Sequence, residues 1–183
     1  MKPALHSHLL PLQQEALLVA GRIRSQRDHA IFTLALGAGL AARGIAALDV
    51  GHVSRDGVVI RAQIANAGSP SASDNIHVLL PKHVRQVLAD HVATIRDACP
   101  HFSRLTRDAA GADGVARCAS CRLAVDLMKV PLFHSRRRDR LSAQRIRSLF
   151  TDYRGQLRLP ERLNFDSLKA TFDAGRVTDL RAA

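Results

Sequence analysis

The chain has few aromatic residues and no long apolar run. Aromatic side chains make up 4% of its 183 residues, Trp is absent and Tyr occurs once. The core must therefore be built mainly from aliphatic residues, and an Ala-rich aliphatic composition favours helices. The longest apolar run, residues 30–42, is broken by Thr and Gly and is too short to span a bilayer. With no signal peptide visible, we expect a cytoplasmic protein with one core.

Cysteine is also scarce, and three cysteines do not suit a disulfide framework. Cys118 and Cys121 have the Cys-x-x-Cys spacing of a zinc ligand pair, and Cys99 with His101 is a candidate second half. The region 99–129 has no core-forming pattern of its own, so a structural zinc ion would help it to fold. Buried or idle thiols are the alternative interpretation. Apart from this candidate structural zinc ion, we expect no cofactor to be required.

The basic residues are mainly Arg, since four of the 27 are Lys and the other 23 are Arg. The planar guanidinium binds phosphate in a bidentate manner that Lys cannot reproduce. GC-rich coding could explain the excess of Arg over Lys, but it does not explain the net charge of +11 or the pI near 11.1. This charge indicates a nucleic acid or an anionic membrane surface as the partner.

The densest positive charge lies between residues 134 and 147. Ser142 is a good N-cap there, and Leu141 before it could staple the helix that follows. Four apolar residues of this helix, Tyr153 among them, can share a buried side. A solvated basic loop is the alternative to a phosphate-binding surface. The candidate DNA-binding residues of this stretch are Arg136, Arg137, Arg138, Arg140, Arg145 and Arg147.

Periodicity predicts a mainly α chain with one small antiparallel β-hairpin. The hairpin strands are residues 57–64 and 76–80, joined by a long tip, and residues 49–56 read as a turn. The predicted helices span residues 12–24, 28–40, 41–48, 81–95, 118–128, 143–154 and 166–174, the last one ended by Gly175.

Four local matches in this order resemble the catalytic domain of tyrosine recombinases, the phage-integrase-like proteins. They cover most of residues 12–98 and 130–175, so we expect one recombinase-like domain over 1–183, with 99–129 as an irregular insertion. The first two matching segments are the helix Arg27–Leu40, which is led by Arg-Asp, and Ile45-Ala-Ala-Leu-Asp-Val50. The third is Val78-Leu-Leu-Pro81. The fourth is Leu132-Phe-His-Ser-Arg-Arg137 with Leu141-Ser142, followed by Leu168-Lys-Ala-Thr-Phe172.

The resemblance implies a DNA breaking–rejoining fold and, in active members, a Tyr nucleophile assisted by two Arg, a Lys and His/Trp groups. Several of these positions differ here. Ala41 replaces the first Arg, and Asp166 and Lys169 replace the family's His-x-x-Arg pair. No basic residue occurs in 65–75, where the hairpin Lys would lie. Tyr153 falls in the wrong element, and the chain ends before the nucleophile segment, so we expect the fold to be incomplete at its C-terminus.

These departures predict a catalytically inactive, recombinase-like protein that binds duplex DNA, with Arg43 and Lys169 extending its basic surface. We expect it in the bacterial cytoplasm, associated with the nucleoid and carried by a mobile element. A second copy of the chain or a full-length recombinase is a further candidate partner, and no membrane partner is expected. One alternative is an active recombinase or integrase that takes its Tyr from a partner, and another is a basic protein-interaction module.

Overall fold

The computed structural model describes residues 8–55, 58–59, 61–64, 76–98, 131–135 and 139–182. In these ranges the chain is mainly helical, with four short strands between the fourth and fifth helices. The helices are α1 (Pro11–Arg24), α2 (Gln26–Ala38), α3 (Ala42–Ala47), α4 (Val50–Val53), α5 (Lys82–Ala98), α6 (Ala143–Gln156) and α7 (Asp166–Ala182). The strands are β1 (Ser54–Arg55), β2 (Val58–Val59), β3 (Arg61–Ile64) and β4 (Ile76–Leu79).

Helix α2 is the centre of the core, as its nearly uniform apolar composition predicts. It packs against α1, α5 and α7, and α3 packs against α6. Phe32 is fully buried on α2, with its ring centroid 5.0 Å from that of Tyr153 and 6.4 Å from that of Phe150, both in edge-to-face geometry. These aromatic contacts join α2 to α6.

Helix α2 ends at Gly39, whose φ of +67° lies in the left-handed region that glycine adopts without strain. A Cβ atom at Gly39 would lie 2.4 Å from Cδ1 of Phe172 on α7. Gly39 therefore allows both the reversal of the chain and the close contact between the end of α2 and α7.

Helices α5 and α6 bury the faces that their periodicity predicts. On α5 the buried stripe is Val84, Leu88, Val92 and Ile95. On α6 it is Ile146, Leu149, Phe150 and Tyr153. With these aliphatic and aromatic side chains α5 packs against α2, and α6 packs against α3 and α2.

The predicted hairpin is present as β3 paired antiparallel with β4, from Arg61 opposite Leu79 to Ile64 opposite Ile76. Its tip, residues 65–75, lies outside the described residues. The prediction of a simple turn over 49–56 was wrong. That stretch contains α4 and β1, and β1 pairs with β2 in a second two-stranded sheet.

One further expectation near the C-terminus was wrong. Helix α7 continues through Gly175 to Ala182, because a single Gly costs a helix only about 1 kcal/mol and does not end it. The turn before α7 is held to α6 by Arg154, whose Nη1 donates to the carbonyl oxygens of Glu161 (2.6 Å) and Leu163 (2.9 Å). The helix predicted at 118–128 lies outside the described residues.

Candidate nucleic-acid interface

The N-terminal end of α6 presents the best placed basic side chains of the described residues. The hydroxyl of Ser142 accepts a bond of 3.1 Å from the backbone N–H of Arg145, so the predicted N-cap is confirmed. Arg145 and Arg147 are exposed, and neither forms an ion pair with a described residue. The positive end of the helix dipole adds to their charge. This end of α6 is therefore suited to an anionic group.

Arg140 is exposed, but three partners hold its side chain against the fold. Its guanidinium donates to the carbonyl oxygens of Ala46 (3.1 Å) and Leu48 (3.3 Å) at the end of α3, and it forms a short ion pair with Asp49. These bonds satisfy helix-terminal carbonyls that have no partner within α3. Arg140 thereby fastens the segment before α6 to α3, and a phosphate would have to compete with these bonds.

The predicted basic loop is described only at its two ends. Arg136, Arg137 and Arg138 lie outside the described residues. At the ends of the loop, His134 and Arg140 face each other in an antiparallel bridge, and the backbone N–H of Ser135 donates to the carbonyl of Asp139. The loop is thus closed at its base next to Arg140 and the start of α6.

A cleft of about 1140 Å³ lies beside this base, between the α1–α2 junction, α5 and α6. Arg140 and Arg145 line it, together with Arg24 and Arg27, which sequence reasoning had not assigned to a site. The signal for this site in the sequence is the three Arg at positions 22, 24 and 27. Asp28, Asp139 and Asp152 also line the cleft, so its charge is mixed.

A buried polar network forms one wall of the cleft. Arg27 donates through Nε (2.9 Å) and Nη2 (2.8 Å) to one oxygen of Asp28, and its Nη1 donates to the carbonyl of His134 (3.2 Å). The hydroxyl of Tyr153 donates to the other Asp28 oxygen (3.1 Å). The Arg24 guanidinium lies 5.2 Å from the centre of the Tyr153 ring. The network joins α2 to α6 and to the segment before the basic loop.

Tyr153 is a core residue and not a nucleophile on a surface. Its side chain is fully buried, and burial together with the neighbouring Asp28 carboxylate raises its pKa to about 12. With this raised pKa the Tyr153 phenol is neutral at neutral pH, and its hydroxyl is hydrogen-bonded to Asp28. The prediction that Tyr153 packs in the core is confirmed.

His91 holds Leu132 and Phe133, which precede the basic loop, against α5. Its Nε2 donates to the carbonyl of Leu132 (3.0 Å), and its ring stacks on Phe133 with centroids 5.2 Å apart. Burial lowers the pKa of His91 to about 4, and the positive groups of His134 and Arg27 act in the same direction. His91 is therefore neutral at neutral pH, and its Nδ1 has no hydrogen-bond partner.

The positions that match the family's catalytic residues lie at the start of α3 and on α7, and of these only Lys169 carries a positive charge. Ala41 is the N-cap of α3 and is half-buried. Asp166 is the first residue of α7 and is exposed. Lys169 is paired with Asp173 at 2.6 Å on the exposed face of α7. A carboxylate at the start of α7 and a Lys that is already paired do not form a strong phosphate clamp.

Arg43 lies on α3, two residues after Ala41, and is exposed. Two residues along a helix correspond to a rotation of about 200°, so Arg43 cannot take the place of an Arg at position 41 without a change in backbone. It forms no ion pair with a described residue. Arg43 is thus a candidate for phosphate contact but not a substitute for the missing catalytic Arg.

The candidate zinc ligands Cys99, His101, Cys118 and Cys121 all lie outside the described residues. In the part of the chain that is described, no group of three or more His, Cys, Asp or Glu side chains is arranged to hold a metal ion. None of the helices in that part is long and apolar enough to cross a membrane.

Comparison of sequences gave no match, because neither a family model nor a curated protein matches the chain. Comparison of structures did give matches. The crystal structure of XerA recombinase is similar with a TM-score of 0.63 at 15% identity, and the match covers 94% of this chain and 51% of that one.

Two structures of the Tn1549 transposon integrase are also similar, one in complex with transposon right-end DNA and one with circular intermediate DNA. Their TM-scores are 0.57 and 0.58, each at 16% identity; the matches cover 90% of this chain and 51% and 50% of those chains. The chain spans about half the length of the structures it matches. It therefore has the fold of the catalytic domain of tyrosine recombinases, mainly helical with a small antiparallel hairpin.

Proposed function

We propose that the chain binds duplex DNA through its phosphates and does not itself catalyse strand transfer. The proposed surface is centred on the N-terminal end of α6 and extends to α3 and to the basic loop. Lys169 would add to it at the start of α7. The residues of this surface are Arg43, Arg136, Arg137, Arg138, Arg140, Arg145, Arg147 and Lys169.

The observation that carries the proposal is the exposure of Arg145 and Arg147. Both are exposed and free of ion pairs with described residues, at the positive end of a helix, in a chain of net charge +11. Because both side chains are exposed and have no ion-pair partner among the described residues, they can contact phosphates at low cost. Such contacts do not depend on base sequence, and their affinity falls steeply with salt.

The similar structures favour DNA over an acidic protein as the partner. The Tn1549 integrase structures are complexes with transposon DNA, and this chain shares their fold. A protein of this kind would act on DNA in the bacterial cytoplasm, where it could modulate a full-length recombinase or be the remnant of one. The mobile-element origin belongs to the same proposal.

The inactivity rests on Ala41, Asp166 and Lys169. Loss of one preorganised charge stabiliser costs roughly a hundredfold or more in rate. Here one cation is replaced by a methyl group, and a carboxylate stands where a phosphate would approach. A Tyr supplied by a partner would not restore these groups, so the enzymatic alternative is the weaker one.

The proposal is tested by fluorescence anisotropy with a short labelled duplex over a salt series. The wild type should bind at low salt with a steep linear dependence of log Kd on log salt. The double variant Arg145→Ala/Arg147→Ala should reduce the slope by about 1.8, because each lost phosphate contact lowers it by about 0.9.

Arg162→Ala is the matched control, since Arg162 is exposed in the turn between α6 and α7, outside the proposed surface. It removes one positive charge and should leave the slope unchanged. Failure of the wild type to bind at low salt would contradict DNA binding. A fall of about 0.9 in the slope of the control, the same loss per charge removed, would show a general charge effect and contradict the assignment to α6.

A further inference from the structure

Helix α1 carries an unusual share of the exposed apolar surface. Of the five large apolar side chains that are exposed in the described residues, Leu12, Val19 and Ile23 lie on α1 and Leu10 is its N-cap. Ile23 is 81% exposed and Leu12 is 79% exposed. Side chains of this kind cost solubility when they are grouped, and a group of them marks an interaction surface.

The exposed large apolar residues of α1 form one stripe together with the half-buried Ala16. Leu12, Ala16, Val19 and Ile23 follow one another at intervals of four, three and four residues, which places them within about 60° of each other around the helix. We call these four residues the α1 stripe. The residues that α1 buries against the core, Leu17 and Gly21, lie on the opposite side. The α1 stripe therefore points away from the core.

We propose that the α1 stripe pairs with the α1 stripe of a second copy of the chain, antiparallel and about a two-fold axis. In this register Leu12 lies against the partner's Ile23, and Ala16 lies against the partner's Val19. Large side chains meet at both ends, and a small residue meets a medium one at the centre, where it allows the two helices to approach closely. The spacing is that of the apolar seam of a coiled coil.

The charges beside the α1 stripe select the antiparallel orientation and a second copy as the partner. Glu15 and Arg22 lie seven residues apart on the same flank of the stripe, both exposed and neither ion-paired with a described residue. Antiparallel pairing brings Glu15 beside the partner's Arg22, and the symmetry repeats this contact. In a parallel pair the equal flanks of the two helices lie on opposite sides of the seam, so Glu15 would not meet the partner's Arg22.

The interface is short, because α1 has 14 residues, or about 21 Å of helix. Association should therefore depend on protein concentration rather than be permanent. It is independent of the proposed DNA binding, since no residue of the α1 stripe belongs to the basic surface. A two-fold dimer would present two such surfaces, an arrangement that suits inverted sites on DNA.

The test is the molar mass of the full chain, measured by light scattering after size exclusion over roughly a hundredfold range of concentration without DNA. The wild type should shift from monomer to dimer as its concentration rises. Ile23→Glu should remain monomeric throughout. Leu79→Glu, which changes an apolar residue 78% exposed on β4, should dimerise as the wild type does. Leu12→Glu serves as a second disrupting variant if Ile23→Glu fails to give a native circular dichroism spectrum.

A charge exchange tests the orientation. Glu15→Arg should weaken the dimer at least several-fold, because it places Arg beside the partner's Arg22. Glu15→Arg/Arg22→Glu should restore the wild-type equilibrium. A wild type that stays monomeric at every concentration would overturn the proposal. So would a dimer that survives Ile23→Glu, or an exchange variant that does not recover.

Discussion

His91 is a buried neutral residue whose protonation opposes folding. In the folded chain its pKa is about 4, whereas the ordinary value of 6.5 applies when the chain unfolds. The stability that His91 contributes is complete above pH 6.5. It is lost as the pH falls through the range from 6.5 towards 4, because the unfolded chain binds the proton first.

We predict that acidification from pH 7 to pH 4.5 costs the wild type roughly 2–3 kcal/mol of unfolding free energy through His91 alone. His91→Gln removes this titration and keeps an amide that can donate to the carbonyl of Leu132. The variant should be less stable at pH 7 but should lose less on acidification. Urea unfolding of both proteins at the two pH values measures the difference, and equal losses would contradict the account.

Arg140 and Arg145 show why charge alone does not define a binding residue. Both lie in the same basic stretch of sequence, and both were candidates for phosphate contact. The structure gives Arg140 the carbonyls of α3 and the Asp49 carboxylate as partners, whereas the Arg145 side chain has no ion pair with a described residue. The distinction depends on Asp49, which is 91 residues away in the sequence, and local pattern contains no information about it.

At the scale of elements, the junction of α2 with α7 depends on one glycine. Gly39 has a left-handed backbone and lies in contact with Phe172. Any side chain at this position would therefore introduce backbone strain and would also overlap the Phe172 ring. The positions that match the family's catalytic residues lie on either side of this junction.

We predict that Gly39→Ala lowers the free energy of unfolding by about 2–4 kcal/mol, as the sum of backbone strain and overlap with the Phe172 ring. Gly155→Ala is the matched control, because Gly155 lies in α6 with no atom within 4 Å of its added methyl group. The control should be neutral or stabilising by up to about 1 kcal/mol. Thermal and urea unfolding of the two variants test this pair, and equal effects would count against the close contact.

Elements with a strong local pattern could be predicted from the sequence. The apolar stripes of α5 and α6, the Ser142 cap, the burial of α2 and the β3–β4 hairpin are all confirmed. The elements that were missed lack such a pattern. Residues 50–53 are too few to show a helical period, and the helix α7 passes through Gly175 in spite of the local signal to end there. The Arg27–Asp28–Tyr153 network could not be predicted, because it joins residues 125 positions apart.

At the scale of the whole molecule, the fold matches that of tyrosine recombinases, whereas the residues at the catalytic positions do not. The order of motifs predicts a tyrosine recombinase fold, and the structural matches confirm it. At the matching catalytic positions Ala41 and Asp166 supply no positive charge, and Lys169 is paired with Asp173. We propose that the basic surface of this fold holds DNA, which requires positive charge in the right place but no nucleophile.

The measurement that tests this most directly is the reaction of the full chain with a nicked suicide duplex, analysed in parallel on native and denaturing gels. We predict a salt-sensitive shift of the duplex on the native gel and no protein–DNA species on the denaturing gel. A covalent adduct that survives denaturation would contradict the inactivity, and the absence of a native shift at low salt would contradict DNA binding.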